Sequence, residues 1–192
     1  TTLGVMTNNR FHFGIGVSPW YEDFLATGER WEKRGKRMDE QIEILKGLMN
    51  GDYFGFEGEF YNIPELKLCP VPTKPVPILI GGHSNLALKR AARIGDGWIS
   101  AGLTLEDTET LINKINNYRD EFGTLDHPSY QFQVMGEAAY SPDGVKQLAD
   151  LGATEVIVAF RNAYEGGPDE RTLDGMIAEI NWYAEEVIHK VK

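Results

Sequence analysis

The sequence has very little cysteine and no long hydrophobic run. Its one cysteine, Cys69, excludes an internal disulfide and fits a reducing compartment, and we expect this thiol to be a small buried side chain. No apolar stretch approaches the roughly 20 residues that a membrane-spanning helix needs, and no basic-then-apolar segment is seen at the start. We therefore expect a cytoplasmic protein that makes no membrane contact.

Positive charge is also scarce, because 19 Lys and Arg residues stand against 29 Asp and Glu residues, for a formal net charge of −10. Nucleic-acid phosphates need a basic protein surface, so this balance argues against nucleic acid as a partner. The four histidines are scattered and Cys69 has no neighbouring ligand, so we predict no metal site. With 192 residues, 42% hydrophobic and 25% charged, the chain fits one globular domain.

Five segments have the pattern of β-strands, and helical patterns separate them. We predict the strands at residues 11–17, 78–80, 98–99, 130–135 and 155–160. Apolar residues at intervals of three and four predict helices at residues 29–50, 85–94, 104–122, 142–151 and 170–191. Strands that alternate with helices are parallel and joined by right-handed crossovers, which predicts an α/β fold.

Residues 51–74 are predicted to be an insertion with a hairpin around Gly58. The segment contains five aromatic residues, unlike a linker, and it could cover a pocket or pack on a neighbouring subunit. The helix before it carries charged residues that we interpret as a solvated face: Arg34, Lys36, Arg37, Asp39, Glu40 and Glu43.

The main candidate site is the turn after the buried strand 78–80. Gly81 and Gly82 let the backbone turn sharply, and Ser84 can cap the helix that follows. The amino terminus of a helix has unpaired N–H groups and a partial positive charge, so it can hold a phosphate. The alternative is that the two glycines form only a tight turn between strand and helix.

Two further loops follow predicted strands. Trp20 and Tyr21 come after the first strand, where two aromatic side chains could wall a planar ring or plug the mouth of a barrel. Residues 100–102, Ser-Ala-Gly, form a second loop of small residues. Phosphate sites late in a strand series favour a TIM-barrel-like (β/α)8 fold. A dinucleotide-binding fold has little support, because its Gly-x-Gly-x-x-Gly signature is missing.

An eight-stranded barrel typically needs about 250 residues. The chain is short of that by about three strand–helix units, and it begins without Met inside an apolar pattern. We therefore expect residues 1–192 to form a single α/β barrel domain that lacks about the first three strands.

Four blocks in the same order resemble the bacterial luciferase-like monooxygenase family, and most of all its branch that uses the deazaflavin coenzyme F420. The blocks are residues 9–17 (NRFHFGIGV), 34–40 (RGKRMDE), 75–84 (PVPILIGGHS) and 91–98 (AARIGDGW). In that family they would be strand 4, the helix after it, strand 5 with its turn, and helix 5 leading into strand 6. The resemblance thus also implies that strands 1–3 are absent here.

The resemblance implies a cofactor, coenzyme F420 or alternatively FMN, and assigns residues to it. Those that would hold the phosphate are Gly81, Gly82, His83 and Ser84, with Ser100, Ala101 and Gly102. Those that would lie against the ring are Gly16, Val17, Ser18 and Trp20. The family is usually homodimeric and acts on small molecules. Its substrate-handling residues lie in strands 1–3, so no catalytic residue can be assigned in this chain.

Several other side chains have two interpretations. His83 could donate to the phosphate or the ring, or be a simple turn residue, and Glu22 and Asp23 could border a substrate mouth or be solvated. His12 lies in a predicted strand and could face either way, and we interpret His127 and His189 as structural. The acidic glutamyl tail of F420 would be repelled by the net charge of −10, and we expect three nearby cations to offset it: Lys89, Arg90 and Arg93.

Three functions fit these observations. The first is a flavin- or F420-dependent oxidoreductase that acts by hydride transfer or monooxygenation, since such chemistry belongs to the cofactor and needs no acid–base pair from the protein. The second is a non-catalytic flavoprotein or a half-barrel that binds a partner chain. The third, a barrel isomerase or aldolase that handles phosphate, is disfavoured because no lysine or carboxylate sits at the carboxyl end of a strand.

Overall fold

The computed structural model describes residues 1–161 and 167–191. The chain forms two compact units, Thr1–Trp98 with Ile115–Tyr130 and Ile99–Lys114 with Gln131–Lys192. Each unit contains strands that pair in parallel, with helices between them in the sequence. The predicted α/β class is therefore confirmed, while a single barrel domain over residues 1–192 stays a prediction.

Most of the elements lie in the first unit. In chain order they are α1 (Thr2–Met6), β1 (Phe13–Ile15), α2 (Tyr21–Thr27), α3 (Arg34–Met49), β2 (Phe54–Glu57), β3 (Asn62–Leu66), β4 (Ile78–Gly81), α4 (Asn85–Ile94) and β5 (Gly97–Ile99), of which Gly97 and Trp98 belong to this unit. β4 lies between β1 and β5, and β1 pairs with it in parallel. β2 and β3 pair antiparallel and form the hairpin predicted for the insertion.

The core of the first unit is built around β4. Ile78, Leu79 and Ile80 have no exposed surface, which confirms that both faces of this strand are covered. Leu88 of α4 and Trp98 of β5 are fully buried as well. Because burial of one large apolar side chain contributes roughly 1.5–3 kcal/mol, this cluster fixes the position of β4 and of its carboxyl end.

The helix predicted at residues 29–50 begins only at Arg34. Lys33 precedes it in the left-handed conformation, with φ of 55°, which ends any helix that comes before. Trp31 is thus outside the helix, and its ring packs edge-on against Tyr21 and Phe24 at centroid distances of 5.7 and 5.1 Å. Those two rings belong to α2, a helix that the sequence patterns did not predict.

The expectation that the charged residues of α3 form a solvated face is wrong for two carboxylates. Asp39 accepts a hydrogen bond of 2.5 Å from Nε of Arg90, whose side chain is only 9% exposed. Glu40 accepts three backbone N–H bonds from the hairpin, those of residues 59, 60 and 61. Burial was also predicted wrongly for Cys69, whose side chain is exposed.

The remaining elements follow β5. They are α5 (Leu105–Glu121), β6 (Gln131–Met135), a 3-10 helix (Glu137–Tyr140), α6 (Pro142–Asp150), β7 (Glu155–Ile157), α7 (Leu173–Tyr183), a π-helical turn (Ala184–Ile188) and α8 (His189–Val191). β6 and β7 pair in parallel with Val134 opposite Val156. Phe132 and Val134 are buried while their neighbours on β6 are half-buried, so the predicted alternation is confirmed.

The final helix begins at Leu173, capped by Thr172, and not at residue 170 as predicted. Its apolar stripe is only partly covered, because Val187 is 2% exposed whereas Leu173 and Ile180 are 72% and 56% exposed. Among the described residues, no helix has the length and hydropathy required to cross a membrane.

Candidate functional site

The predicted diglycine turn lies at the carboxyl end of β4. Gly82 has φ of +118°, a backbone conformation that side chains disfavour, and a Cβ there would lie 3.0 Å from Cβ of Ala87. Gly82 is therefore required for the turn itself. The residues after it, 83–86, are all exposed.

Ser84 is the amino-terminal cap of α4, as predicted. Its Oγ accepts the N–H of Ala87 at 3.3 Å and its carbonyl accepts the N–H of Leu88 at 2.9 Å. The backbone N–H groups of Asn85 and Leu86 lie in the first turn, where no helical carbonyl can reach them. This exposed helix terminus therefore presents N–H donors and a partial positive charge to solvent, as an anion site requires.

β1 ends beside the same turn. A Cβ on Gly16 would lie 3.7 Å from the carbonyl oxygen of Gly81, and a Cβ on Gly81 would lie 3.5 Å from that of Ile15. The structure thus brings two of the predicted cofactor residues, Gly16 and Gly81, into backbone contact. Val17 follows Gly16 and is half-buried.

The loop after β1 leads into α2. The hydroxyl of Ser18 donates to the carboxylate of Asp23 at 2.5 Å and accepts the backbone N–H of Trp20 at 3.1 Å. Ser18 and Asp23 are therefore engaged with each other, and Glu22 is exposed to solvent. Trp20 and Tyr21, the two aromatic side chains predicted to wall a ring or plug a barrel mouth, are 50% and 51% exposed.

The loop of small residues, 100–102, belongs to the second unit. Ser100 is buried, and its hydroxyl accepts the N–H of Met135 at 2.9 Å and donates to the carbonyl of the same residue at 3.4 Å. The hydroxyl of Ser100 thus contacts the backbone of β6, and its contact with a phosphate stays a prediction. Ala101 and Gly102 are exposed.

The histidines have different surroundings. His83 is exposed, with its ring centroid 6.0 Å from that of Trp98. His127 lies 3.5 Å from the carboxylate of Asp96, in keeping with a structural role, and His189 is exposed in the last helical turn. Within residues 1–161 and 167–191, no three His, Cys, Asp or Glu side chains converge as metal ligands do.

One of the three cations expected to offset an acidic cofactor tail is not available for it. Arg90 is buried, donates to Asp39 and donates through Nη2 to the carbonyl of Gly35 at 2.9 Å. Lys89 is exposed with its ammonium 5.0 Å from the ring centroid of Tyr118, and Arg93 is 53% exposed. The expectation for Arg90 was wrong because the sequence does not show that its helix face is the buried one.

Trp98 contacts the predicted turn, although the sequence patterns did not place it there. Its indole N–H donates to the carbonyl of Gly82 at 2.9 Å. The sequence pattern indicates only that Trp98 is an apolar residue at the start of a short strand. The contact depends on β4 and β5 being neighbours, which no local pattern shows.

The sequence is similar to those of known proteins over most of its length. The sequence model of the luciferase-like monooxygenase family matches residues 1–166. An uncharacterized protein of Mycobacterium tuberculosis is 45% identical over 190 residues, which are 99% of this chain and 65% of that protein. The FMNH2-dependent dimethylsulfone monooxygenase of Pseudomonas fluorescens is 34% identical over 118 residues, 59% of this chain and 32% of that enzyme.

The fold is similar to that of a solved enzyme, the coenzyme F420 dependent tetrahydromethanopterin reductase from Methanopyrus kandleri. The match covers 100% of this chain and 77% of that chain, with a TM-score of 0.74 and 16% identity. This likeness confirms the predicted TIM-barrel-like class, of which the chain represents a part. The chain spans less than two thirds of the length of the two curated relatives named above.

Proposed function

The chain belongs to the luciferase-like monooxygenase family, and from this premise we propose that it is an oxidoreductase that binds F420 or FMN without a covalent link. The single observation that carries the proposal is the exposed, Ser84-capped terminus of α4 behind the Gly81–Gly82 turn. Two relatives support the choice of cofactor, since one is named for FMNH2 and the other for F420.

The diglycine turn fits a phosphoryl group. Gly82 leaves no side chain between the backbone and a ligand, and the first-turn amides of α4 are exposed beside it. FMN and F420 both carry a phosphoryl group at the end of a ribityl chain on a tricyclic ring, so the same turn could serve either cofactor. We assign Gly81, Gly82, His83 and Ser84 of the first unit to the phosphate.

The ring is assigned to the end of β1 and the loop after it. Gly16 has no side chain and is exposed, Val17 is half-buried, and Trp20 is a half-exposed aromatic residue. When bound, either cofactor supplies the hydride or oxygen transfer itself. The residues of this chain bind it, orient its ring and exclude water from one side. For the acidic tail of F420, Lys89 supplies exposed positive charge, whereas Arg93 lies in the last turn of α4, 3.6 Å from Asp39.

Other properties of the whole protein are part of the proposal. They are a small-molecule substrate, a homodimeric state and a cytoplasmic location. Binding of the cofactor or of a partner chain without turnover is the alternative that a turnover assay tests.

Cofactor binding is tested by titrating FMN and F420, separately, with the purified protein and following the fluorescence of each. We expect one or both to bind, and Ser84→Ala to weaken that binding about fivefold because the capped terminus is lost. Ser141→Ala is the matched control, since Ser141 caps α6 in the same way by accepting the N–H of Gly144 at 3.1 Å.

Each outcome has a defined meaning. If the wild-type protein binds neither cofactor, the proposed function is wrong. If Ser84→Ala and Ser141→Ala weaken binding equally, the cofactor binds elsewhere and the assignment of the site is wrong. Steady-state turnover with F420 and a hydride donor then separates an oxidoreductase from a cofactor-binding chain without catalysis.

A further inference from the structure

Trp98 and the Gly82 carbonyl are joined by a hydrogen bond inside the first unit. The indole has no exposed surface, and its Nε1–H donates to the Gly82 oxygen at 2.9 Å. A buried N–H group needs an acceptor, because leaving it unpaired costs roughly 1–3 kcal/mol. The acceptor in this case is the carbonyl of the residue that forms the diglycine turn.

The hydrogen bond determines how the next amide is oriented. The Gly82 carbonyl and the N–H of His83 belong to one planar trans peptide, so they point in opposite directions. With the carbonyl turned toward the buried indole, the N–H of His83 is turned away from it. Gly82, at φ of +118°, has no side chain whose packing could fix this peptide. Glycine also has more backbone freedom than any other residue type.

We propose that Trp98 is a positioning residue for the cofactor phosphate. It orients the Gly82–His83 peptide, which faces the phosphate, and does not itself touch the ligand. The inference rests on the proposed function. Trp98 lies behind the turn, fully buried, while His83 and Ser84 lie on its exposed side. The amides that meet the phosphate are thus set in place before it arrives, which lowers the ordering cost of binding.

The role belongs to the indole N–H and not to the bulk of the ring. Phenylalanine retains an aromatic ring that can fill most of the same buried space, but it has no donor for the Gly82 carbonyl. In Trp98→Phe we therefore expect the peptide to lose its fixed orientation while the core keeps its fold. A bond from a backbone N–H to a phosphate is charge-assisted and sensitive to direction, so its loss is measurable as affinity.

The experiment compares each cofactor with a ligand that has the same ring but no phosphate. FMN is titrated against riboflavin, and F420 against its deazaflavin nucleoside without the phosphate-linked tail. In Trp98→Phe we expect the affinity for FMN or F420 to fall about tenfold, and that for the phosphate-free ligand to change less than about twofold. Trp182→Phe, at a site 50% exposed, is the matched control and should change neither affinity.

The result separates this inference from the proposed function. If wild-type protein binds neither cofactor, the proposed function fails first. If it binds one and Trp98→Phe binds the phosphorylated and phosphate-free ligands with unchanged or equally reduced affinity, the positioning role is wrong. Far-UV circular dichroism checks the fold of the variant. Should Trp98→Phe not fold, 3-benzothienylalanine at position 98 keeps the bicyclic shape, lacks the N–H and gives the same test.

Discussion

Asp96 and Ile78 bind each other through two hydrogen bonds. The N–H of Ile78 donates to Oδ2 of Asp96 at 2.9 Å, and the N–H of Asp96 donates to the carbonyl of Ile78 at 2.8 Å. Ile78 is the first residue of β4 and Gly82 follows its last. Because Trp98 holds the Gly82 carbonyl, the short segment 96–98 holds β4 at both of its ends.

The first prediction concerns the carboxylate of Asp96. Asp96→Ala removes the acceptor of the Ile78 N–H and the partner of Lys46, which lies 3.2 Å away. We expect the free energy of unfolding to fall by about 2 kcal/mol, measured by urea denaturation. Asp120→Ala, at an exposed position on α5, is the control and should change it by less than about 0.5 kcal/mol. Equal stability of the two variants would contradict this role.

The turn at Gly81 and Gly82 was predictable from the sequence because its signals are local. An apolar strand, two glycines and a capping serine follow one another directly, and each of these features has the predicted structure. The contact of Trp98 with the same turn was not predictable. It joins residues 16 positions apart, and only the neighbouring arrangement of β4 and β5 brings them together.

Burial of charged residues was predicted least well. Periodicity shows which residues share a helix face, but it does not show which neighbour covers that face. Asp39 was assigned to a solvated face of α3, and Arg90 to the surroundings of the cofactor, yet the two form one ion pair. The last helix also shows that an apolar face need not be covered, since Ile177 and Ile180 are 47% and 56% exposed.

The second prediction concerns that ion pair. Arg90→Ala leaves Asp39 and the carbonyl of Gly35 without their buried donor, and we expect the free energy of unfolding to fall by about 3 kcal/mol. Arg90→Lys should recover less than half of this loss, because a single ammonium cannot make both contacts of the planar guanidinium. Both variants are measured by urea denaturation.

The control for Arg90 is a second arginine on the same carboxylate. Arg93 lies 3.6 Å from Oδ2 of Asp39, but its side chain is 53% exposed. An exposed pair contributes little, so Arg93→Ala should lower the free energy of unfolding by less than about 1 kcal/mol. If Arg90→Ala and Arg93→Ala lower the free energy of unfolding by the same amount, burial does not determine the strength of these contacts.

The third prediction concerns the hairpin of β2 and β3. Glu40 accepts the N–H groups of Glu59, Phe60 and Tyr61 at 2.7, 3.0 and 3.1 Å, so one carboxylate holds the hairpin turn against α3. Glu40→Gln replaces one acceptor oxygen by an amide that cannot accept. We expect amide hydrogen exchange of residues 59–61 to become about tenfold faster, which corresponds to about 1.4 kcal/mol.

Glu43→Gln is the matched control for the hairpin. Glu43 is also on α3, three residues further along, and its side chain is exposed. Its substitution should leave the exchange of residues 59–61 unchanged. If amide exchange of residues 59–61 is as slow in Glu40→Gln as in the wild-type protein, strand pairing alone fixes the turn and the carboxylate does not.

The fourth prediction concerns alkaline pH. Tyr130 is 9% exposed, and burial raises the pKa of its phenol well above the ordinary value, although Arg119 opposes this shift with its guanidinium 3.9 Å from the centre of the ring. Above about pH 10 the unfolded chain loses the phenolic proton while the folded chain retains it. The unfolded state then binds fewer protons, so the free energy of unfolding falls as pH rises.

Tyr130→Phe removes the ionisable group and keeps the ring under Arg119. Its free energy of unfolding should therefore fall less steeply between about pH 9 and pH 11 than that of the wild-type protein, whereas the two slopes should agree below pH 9, where the phenol is protonated in both states. Tyr53→Phe, at a position 70% exposed, should retain the wild-type slope throughout. Urea denaturation at each pH gives these slopes. A wild-type slope in Tyr130→Phe would show that burial of this phenol does not contribute to the loss of stability at alkaline pH.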